Sequence, residues 1–288
     1  MKHPSLTTFA YAKINFALAV LGIRDDGYHE LQSVMQSIDL HDIVQVRRRG
    51  ETITCHCGEL SGRGNLAYMA AELFFRELGF SDGVEIDIDK KIPIQAGLAG
   101  GSSDAAATFR LLNQLYNNPL TAEKLLDLAG ECGADVAFCL RGGTMWATGR
   151  GEQLELMPNV PNIDLVLVKP TLGVNTGEAY RRFDEEGKRG FLSRSDWQKA
   201  LKESSPQQIA ALLANDLESA SILMVPEISE LKQQLLEEKC CGALMSGSGS
   251  SVFGIAKDEG HARNVAEKMR KRGCKNVWVT KTVGSEPI

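Results

Sequence analysis

Pro93-Ile-Gln-Ala-Gly-Leu-Ala-Gly-Gly-Ser-Ser-Asp-Ala-Ala106 joins two segments of different period. Upstream, Val84-Glu-Ile-Asp-Ile-Asp89 alternates apolar and acidic residues, the period of a strand. Downstream, Ala105, Phe109, Leu112 and Tyr116 recur at helical spacing. The stretch is therefore a glycine-rich loop that opens a helix. The first amides of a helix have no intrahelical partner, and its dipole adds positive charge at the same end. Gly97, Gly100 and Gly101 have no Cβ, which lets an anion approach the backbone closely. Ser102 and Ser103 are placed to cap the helix, or to turn a hydroxyl toward phosphate or a phosphate-bound cation. A nucleotide tail suits all of these features; a plain tight turn with a serine cap is the competing reading.

Two familiar phosphate loops are excluded. A Walker A loop has Lys after its last glycine, whereas Ser102 follows Gly101. A dinucleotide fingerprint reads G-x-G-x-x-G, whereas Gly97 to Gly101 reads G-x-x-G-G.

Residues 8 to 22 read as a strand or strand pair. If Ala12, Ile14 and Phe16 face a core, Lys13 and Asn15 share the opposite face. Arg24 to Gly27 is a turn, and Tyr28-His29 follow it in the manner of a stacking ring beside a base-edge hydrogen-bonding group, although simple packing gives the same pair. Residues 31 to 40 form a further strand. Asp42 to Arg49 and Thr52 to Cys57 suggest a hairpin about Arg49-Gly-Glu51, and Asn65 to Leu78 a helix with Leu66, Met69, Ala70, Leu73 and Phe74 inward. Thr121 caps a helix over 122 to 132 that stops near Gly133. Asp135 then occupies a short turn before apolar Val136, Ala137 and Phe138, where an ionised carboxylate is costly without a cation close by.

Residues 144 to 157 continue as strand, Met157 to Pro161 marks a boundary, and Ile163 to Val168 opens a second sheet. The charge-rich run 184 to 196, with Gly187 and Gly190, reads as a mobile loop. Helices are expected over 206 to 215, 226 to 238 and 260 to 272, with a last strand over 277 to 282. A second glycine loop, Met245-Ser-Gly-Ser-Gly-Ser-Ser251, lies between strand candidates 242 to 244 and 252 to 255.

The 288 residues, 43% hydrophobic and 24% charged, suffice for two domains with a large core. A net charge of −5 gives no global field for nucleic acid or an anionic membrane, so phosphate binding has to be local. Seven cysteines without a C-x-x-C suit reduced thiols in cytoplasm; Cys55-His56-Cys57 would make half a zinc site, with no second half at a usual spacing. Lys13 and Asn15 interrupt the apolar segment near the N-terminus before it reaches signal-peptide length, and no run has membrane-spanning length.

Pro93 to Ala106 resembles the central ATP-binding motif of the GHMP small-molecule kinases, the family of galactokinase, homoserine kinase, mevalonate kinase and phosphomevalonate kinase. Ala12-Lys-Ile-Asn-Phe-Ala-Leu18 and Met245 to Ser251 resemble its other two motifs, in the same order. The resemblance implies an α/β (α+β) two-domain fold: residues 1–157 form an N-terminal ATP-binding domain like ribosomal protein S5 domain 2, and 158–288 a ferredoxin-like substrate-side domain. It implies transfer of the ATP γ-phosphoryl, with Mg²⁺, to a hydroxyl. Gly27-Tyr-His-Glu-Leu31 and Gly133-Ala-Asp-Val-Ala-Phe138 resemble the members whose acceptor is a cytidine-diphosphate-linked methylerythritol of the non-mevalonate isoprenoid route.

Carried over residue by residue, Lys13 and Asp135 are catalytic. ATP is contacted by Lys90, Pro93, Ile94, Gln95, Ala96, Gly97, Leu98, Ala99, Gly100, Gly101, Ser102 and Ser103; the acceptor is contacted by Asn15, Tyr28, His29, Tyr180, Gly247 and Ser248. A hydroxyl of Ser102 or Ser103 is the expected Mg²⁺ contact. Ala137 stands where the family has Pro, which loosens the turn but leaves the carboxylate. The implied protein is cytoplasmic, a monomer or weak homodimer, and binds neither nucleic acid nor membrane. Three alternatives stay open: a kinase of the mevalonate or homoserine type, a related diphosphate decarboxylase, and a nucleotide-binding regulator without turnover.

Overall fold

The computed structural model describes residues 4–160, 162–186 and 189–285. The chain begins with two long strands, β1 (Ser5–Ile23) and β2 (His29–Arg48), paired antiparallel along nearly their whole length. There follow β3 (Ile53–His56), α1 (Leu66–Leu78), β4 (Val84–Asp89), α2 (Gly100–Leu115), α3 (Ala122–Cys132), α4 (Ala134–Arg141), β5 (Thr144–Gly149) and β6 (Gln153–Leu156). The second half comprises β7 (Asp164–Lys169), α5 (Thr176–Glu186), α6 (Arg194–Glu203), α7 (Pro206–Ala211), β8 (Ala214–Asn215), α8 (Glu218–Met224), α9 (Glu227–Glu237), β9 (Gly242–Met245), β10 (Val252–Ile255), α10 (Glu259–Lys271) and β11 (Asn276–Lys281).

One seven-stranded sheet runs β3-β4-β2-β1-β8, with β5 on the other half of the β2 edge and β6 beyond it; the second sheet runs β11-β7-β10-β9. Helices α1 to α4 cover one face of the first sheet around Phe74, Phe109 and Phe138. Ala12, Ile14 and Phe16 point from β1 into a separate core shared with β7, β10 and Trp197 of α6, which joins the two sheets. Lys13 and Asn15 accordingly lie on the opposite face of β1, as the alternation predicts, and both are buried. Among the described residues no helix is long and apolar enough to cross a membrane.

Several local expectations are corrected. The hairpin about residue 50 does not form: β2 runs unbroken through Asp42, and β3 pairs parallel with β4. The place beside β2 is taken by β4, in register Val46 to Ile86, and Gly83 packs so closely on Gly50 that a Cβ there would stand 2.2 Å from the Gly50 oxygen. Asp135 lies in the first turn of α4 rather than in an irregular turn. Asn65 caps α1 as a helix start in that region requires, but Met69 is exposed and the inward face is Ala67, Ala70, Ala71, Phe74 and Phe75. The run 144 to 157 is a hairpin of β5 and β6.

The run 184 to 196 is helix at both ends, in α5 and α6, because Arg181 and Arg182 pair with Glu178 and Glu185 along one helix and Ser193 caps the other. Gly187 and Lys188 of that run, and Pro161 of the boundary, lie outside the described residues. The helix expected over 206 to 215 ends at Ala211, since Ala214 and Asn215 pair with Ala17 and Leu18 of β1. Cys55 on β3 and Cys57 just beyond its end turn inward while His56 faces out, which splits the imagined zinc half-site; burial pushes the Cys55 thiol up to about 12.

Candidate active site

The loop before α2 bends through three left-handed residues, Gln95, Gly97 and Ala99, with φ of 52°, 73° and 56°. Ala99 takes the N-cap place without a side-chain oxygen to accept from the first amides of α2, so these face the cavity uncapped. Backbone held in this region costs free energy and recurs where a loop is shaped for a ligand. Neither serine caps the helix. Ser103 is buried, its hydroxyl donates to the Tyr11 carbonyl at 2.6 Å, and it does not line the cavity; Ser102 does.

The loop forms one wall of a cavity of about 1590 Å³. All the other residues assigned to a site from the sequence line it, from Lys13 to Ser248. Lys13 is tied to the loop by its backbone N–H, which donates to the Leu98 carbonyl at 3.1 Å. Its ammonium donates to Asn15 Oδ1 at 2.8 Å and lies 3.6 Å from Asp135 Oδ2. Asn15 is itself oriented: its Nδ2 donates to Ser33 Oγ at 2.8 Å, and the Ser33 hydroxyl donates onward to the Ala17 carbonyl at 2.7 Å. Ser33 thus fixes the Asn15 oxygen toward the ammonium, a role that a lone serine within a strand does not announce in the sequence.

The second glycine loop docks on the first. The Ser246 hydroxyl donates to the Gly97 carbonyl at 3.0 Å and accepts from Asn15 N–H at 3.3 Å, while Ser251 N–H donates to the Ala96 carbonyl at 3.2 Å. Asn215 Nδ2 donates to the carbonyls of Met245 and Gly247, and Ser248 Oγ meets Thr176 Oγ1 at 2.8 Å. Gly247 and Ser248 are thereby held at the cavity wall.

Across the cavity, the Tyr28 ring is exposed under the Arg150 guanidinium, 4.9 Å from the ring centre. The His29 ring stacks on Tyr180 at 4.5 Å, and His29 Nε2 lies 2.9 Å from Asp184 Oδ1. Burial, and then the negative charge of Asp135, raise the pKa of the Tyr180 hydroxyl, so Tyr180 stays neutral.

Lys90 lines the cavity behind Gly100, but its ammonium is held by two buried carboxylates, Asp42 at 2.5 Å and Asp104 at 2.8 Å. Asp42 also accepts from the amides of Lys91 and Ile92. Asp104 Oδ1 is buried and has no hydrogen-bond partner among the described residues. Burial raises the Asp104 pKa and the like charge of Asp42 adds to it, with Lys90 opposing. Asp104 stands in the first turns of α2 and Asp42 within β2; nothing in their local sequence marks them as partners of Lys90.

The chemistry available is that of anion binding beside an acid–base pair. Uncapped helix amides accept phosphate oxygens. A carboxylate next to a buried ammonium takes a proton from a hydroxyl while the ammonium offsets developing charge. The Ser102 hydroxyl, which lines the cavity, is an oxygen donor of the kind a hard cation such as Mg²⁺ takes.

Comparison with known proteins agrees with this chemistry. The family model for the GHMP kinases N terminal domain matches residues 65–143, and that for the GHMP kinases C terminal matches 197–275. The chain is 55% identical over 276 residues to the 4-diphosphocytidyl-2-C-methyl-D-erythritol kinase of Desulfitobacterium hafniense (strain Y51), covering 96% of this chain and 95% of that protein. It is 44% identical to the enzyme of the same name from Pelotomaculum thermopropionicum, covering 96% and 98%. A crystal structure of 4-(cytidine 5'-diphospho)-2C-methyl-D-erythritol kinase superposes with a TM-score of 0.83 at 35% identity, over 97% of this chain and 100% of that one. With both halves matched and its relatives aligned nearly end to end, the chain belongs to the GHMP kinase family, as an ATP-dependent kinase of the two-domain fold.

Proposed function

We propose that the protein transfers the γ-phosphoryl group of ATP to a hydroxyl of 4-diphosphocytidyl-2-C-methyl-D-erythritol. The observation that carries the reading is the Lys13–Asp135 pair, 3.6 Å apart, lining the same cavity as the uncapped amides of α2 and as Tyr28, His29 and Tyr180. Full-length identity to relatives of that name supports the choice of acceptor. The working division is an ATP-binding unit over 1–157 and a substrate-side unit over 158–288; β8, which joins the first sheet from the second half, and Thr282, bridged to Ile38, tie the two together.

In this reading Asp135 accepts the hydroxyl proton of the acceptor. Lys13, set beside Asp135 and aimed by Asn15, stabilises negative charge on the acceptor oxygen and the transferred group. Gly100, Gly101 and Ser102 amides hold phosphate oxygens, and the Ser102 hydroxyl would hold Mg²⁺. Bound there with ATP, the cation would supply the neutralisation of phosphate charge that phosphoryl transfer needs. Tyr28, His29 and Tyr180 hold the cytosine end and so place the distal hydroxyl near Asp135.

The test is ADP release by purified protein with Mg-ATP and a panel of acceptors: the cytidine compound, mevalonate, phosphomevalonate and homoserine. Turnover confined to the cytidine compound is the expected result. Turnover with another acceptor alone, or ATP binding without turnover on any of them, would overturn the assignment.

A further inference from the structure

His29 meets one helix through two of its residues. Tyr180 stacks on the imidazole, with centroids 4.5 Å apart and planes 25° apart, and Asp184, one turn further along α5, takes the ring edge with Oδ1 and Oδ2 2.9 and 3.1 Å from Nε2. Arginines on the same helix pair with Glu178 and Glu185, and among the described residues Asp184 has no ion-pair partner but His29. An ionised carboxylate only accepts, so the hydrogen in this contact sits on Nε2. In a neutral imidazole the other nitrogen, Nδ1, is then a bare acceptor. Nδ1 has no hydrogen-bond partner among the described residues, and His29 lines the cavity.

We propose that Asp184 is a positioning residue that sets base selectivity: it holds His29 in the Nε2–H tautomer, so that Nδ1 accepts from the exocyclic amino group of a cytosine ring. An acceptor at that place pairs with the 4-amino group of cytosine and meets the 4-carbonyl of uracil lone pair to lone pair. The inference rests on the cytidine reading of the site and adds to it a residue that touches no substrate.

The experiment has two arms on the full-length protein. In the first, long-range ¹H–¹⁵N correlation spectra of histidine-labelled protein at pH 8, above the ordinary imidazole pKa of about 6.5, report which ring nitrogen of His29 carries hydrogen; His29→Gln assigns the signal. The expected result is hydrogen on Nε2 in the parent and in Asp184→Asn, whose side-chain oxygen still accepts, and a mixture in Asp184→Ala. In the second, calorimetry compares CDP with UDP. The parent is expected to favour CDP, Asp184→Ala to lose about 3- to 10-fold of that preference, as fits one hydrogen bond, and Asp184→Asn to keep most of it. Hydrogen on Nδ1 or on both nitrogens in the parent would overturn the inference alone, as would an unchanged CDP preference in Asp184→Ala. A parent indifferent between CDP and UDP would overturn the cytidine reading and this inference together.

Discussion

Gly97 and Ser246 leave no room for a side chain between them: a Cβ on Gly97 would stand 2.1 Å from the Ser246 carbonyl oxygen. The same serine, 149 residues away in the chain, donates its hydroxyl hydrogen to the Gly97 carbonyl and accepts from the amide of Asn15. One residue of the second glycine loop therefore sets the height of the phosphate loop and the position of the strand that carries Lys13. The distance between phosphate and acid–base pair is a property of this contact.

Gly97→Ala should break it. The residue sits at φ 73°, and its neighbour is backbone, which cannot swing aside. Left-handed strain in a side chain-bearing residue costs on the order of 1–3 kcal/mol before the clash is counted. We expect a thermal midpoint lowered by several degrees and ADP release reduced at least about 10-fold, since a misplacement of about 1 Å costs far more than that in a positioned reaction. A variant with parental midpoint and rate would show that the two loops can part without consequence.

Asp135→Asn and Lys13→Met test the chemistry itself. Removing a general base costs about 10²- to 10⁴-fold in rate, so each variant should lose at least about 100-fold in kcat while the KM for ATP, set by the amides of α2, changes little. Asp135 is part-exposed and Met approximates the buried stem of Lys13, so both should fold. Steady-state kinetics with the cytidine substrate decide the point; near-parental kcat in Asp135→Asn would remove it from the mechanism.

The parts of this site legible in the sequence are those written in one short run. Gly97 to Ser102 announces a phosphate loop through glycine and helix-start chemistry, and the alternation about Lys13 and Asn15 gives their shared face. What escaped depends on partners distant in the chain. Asp42 reads as the start of a hairpin until Lys90 and two amides, 48 to 50 residues on, are found on it. Ser103 reads as a phosphate ligand until the Tyr11 carbonyl claims its hydroxyl. Asp184 reads as loop charge because Gly187 and Gly190 follow, yet it completes a helix turn that ends on His29.

Lys90→Met should be among the most damaging changes in the first domain, although Lys90 touches the cavity only at its edge. The substitution leaves Asp42 and Asp104, both about fully buried, without a counter-charge. Breaking a buried pair by removing one partner costs about 3–5 kcal/mol. Urea unfolding should show that loss, and Lys90→Met combined with Asp42→Asn, whose side-chain oxygen still accepts from the amides of Lys91 and Ile92, should recover part of it by removing one stranded charge. A double variant no more stable than the single would mean that the loss comes from the missing hydrogen bonds of Lys90 and not from a stranded charge.

Asp104 also gives the stability of the protein a definite pH slope. Burial, with the like charge of Asp42, pushes its carboxyl up to about 7 against the pull of Lys90. The ordinary value for an unfolded chain is about 3.9. Between these values the folded protein binds more proton than the unfolded one. The stabilisation is therefore complete below about pH 4 and is lost as the pH rises toward about 7. Asp104→Asn removes this titration but keeps the Asp42–Lys90 pair. From pH 5 to pH 8 the parent should lose on the order of 2 kcal/mol relative to the variant, read as a steeper fall of its thermal midpoint over the series pH 5, 6, 7 and 8. Parallel curves for the two proteins would mean that Lys90 outweighs burial and holds Asp104 ionised throughout.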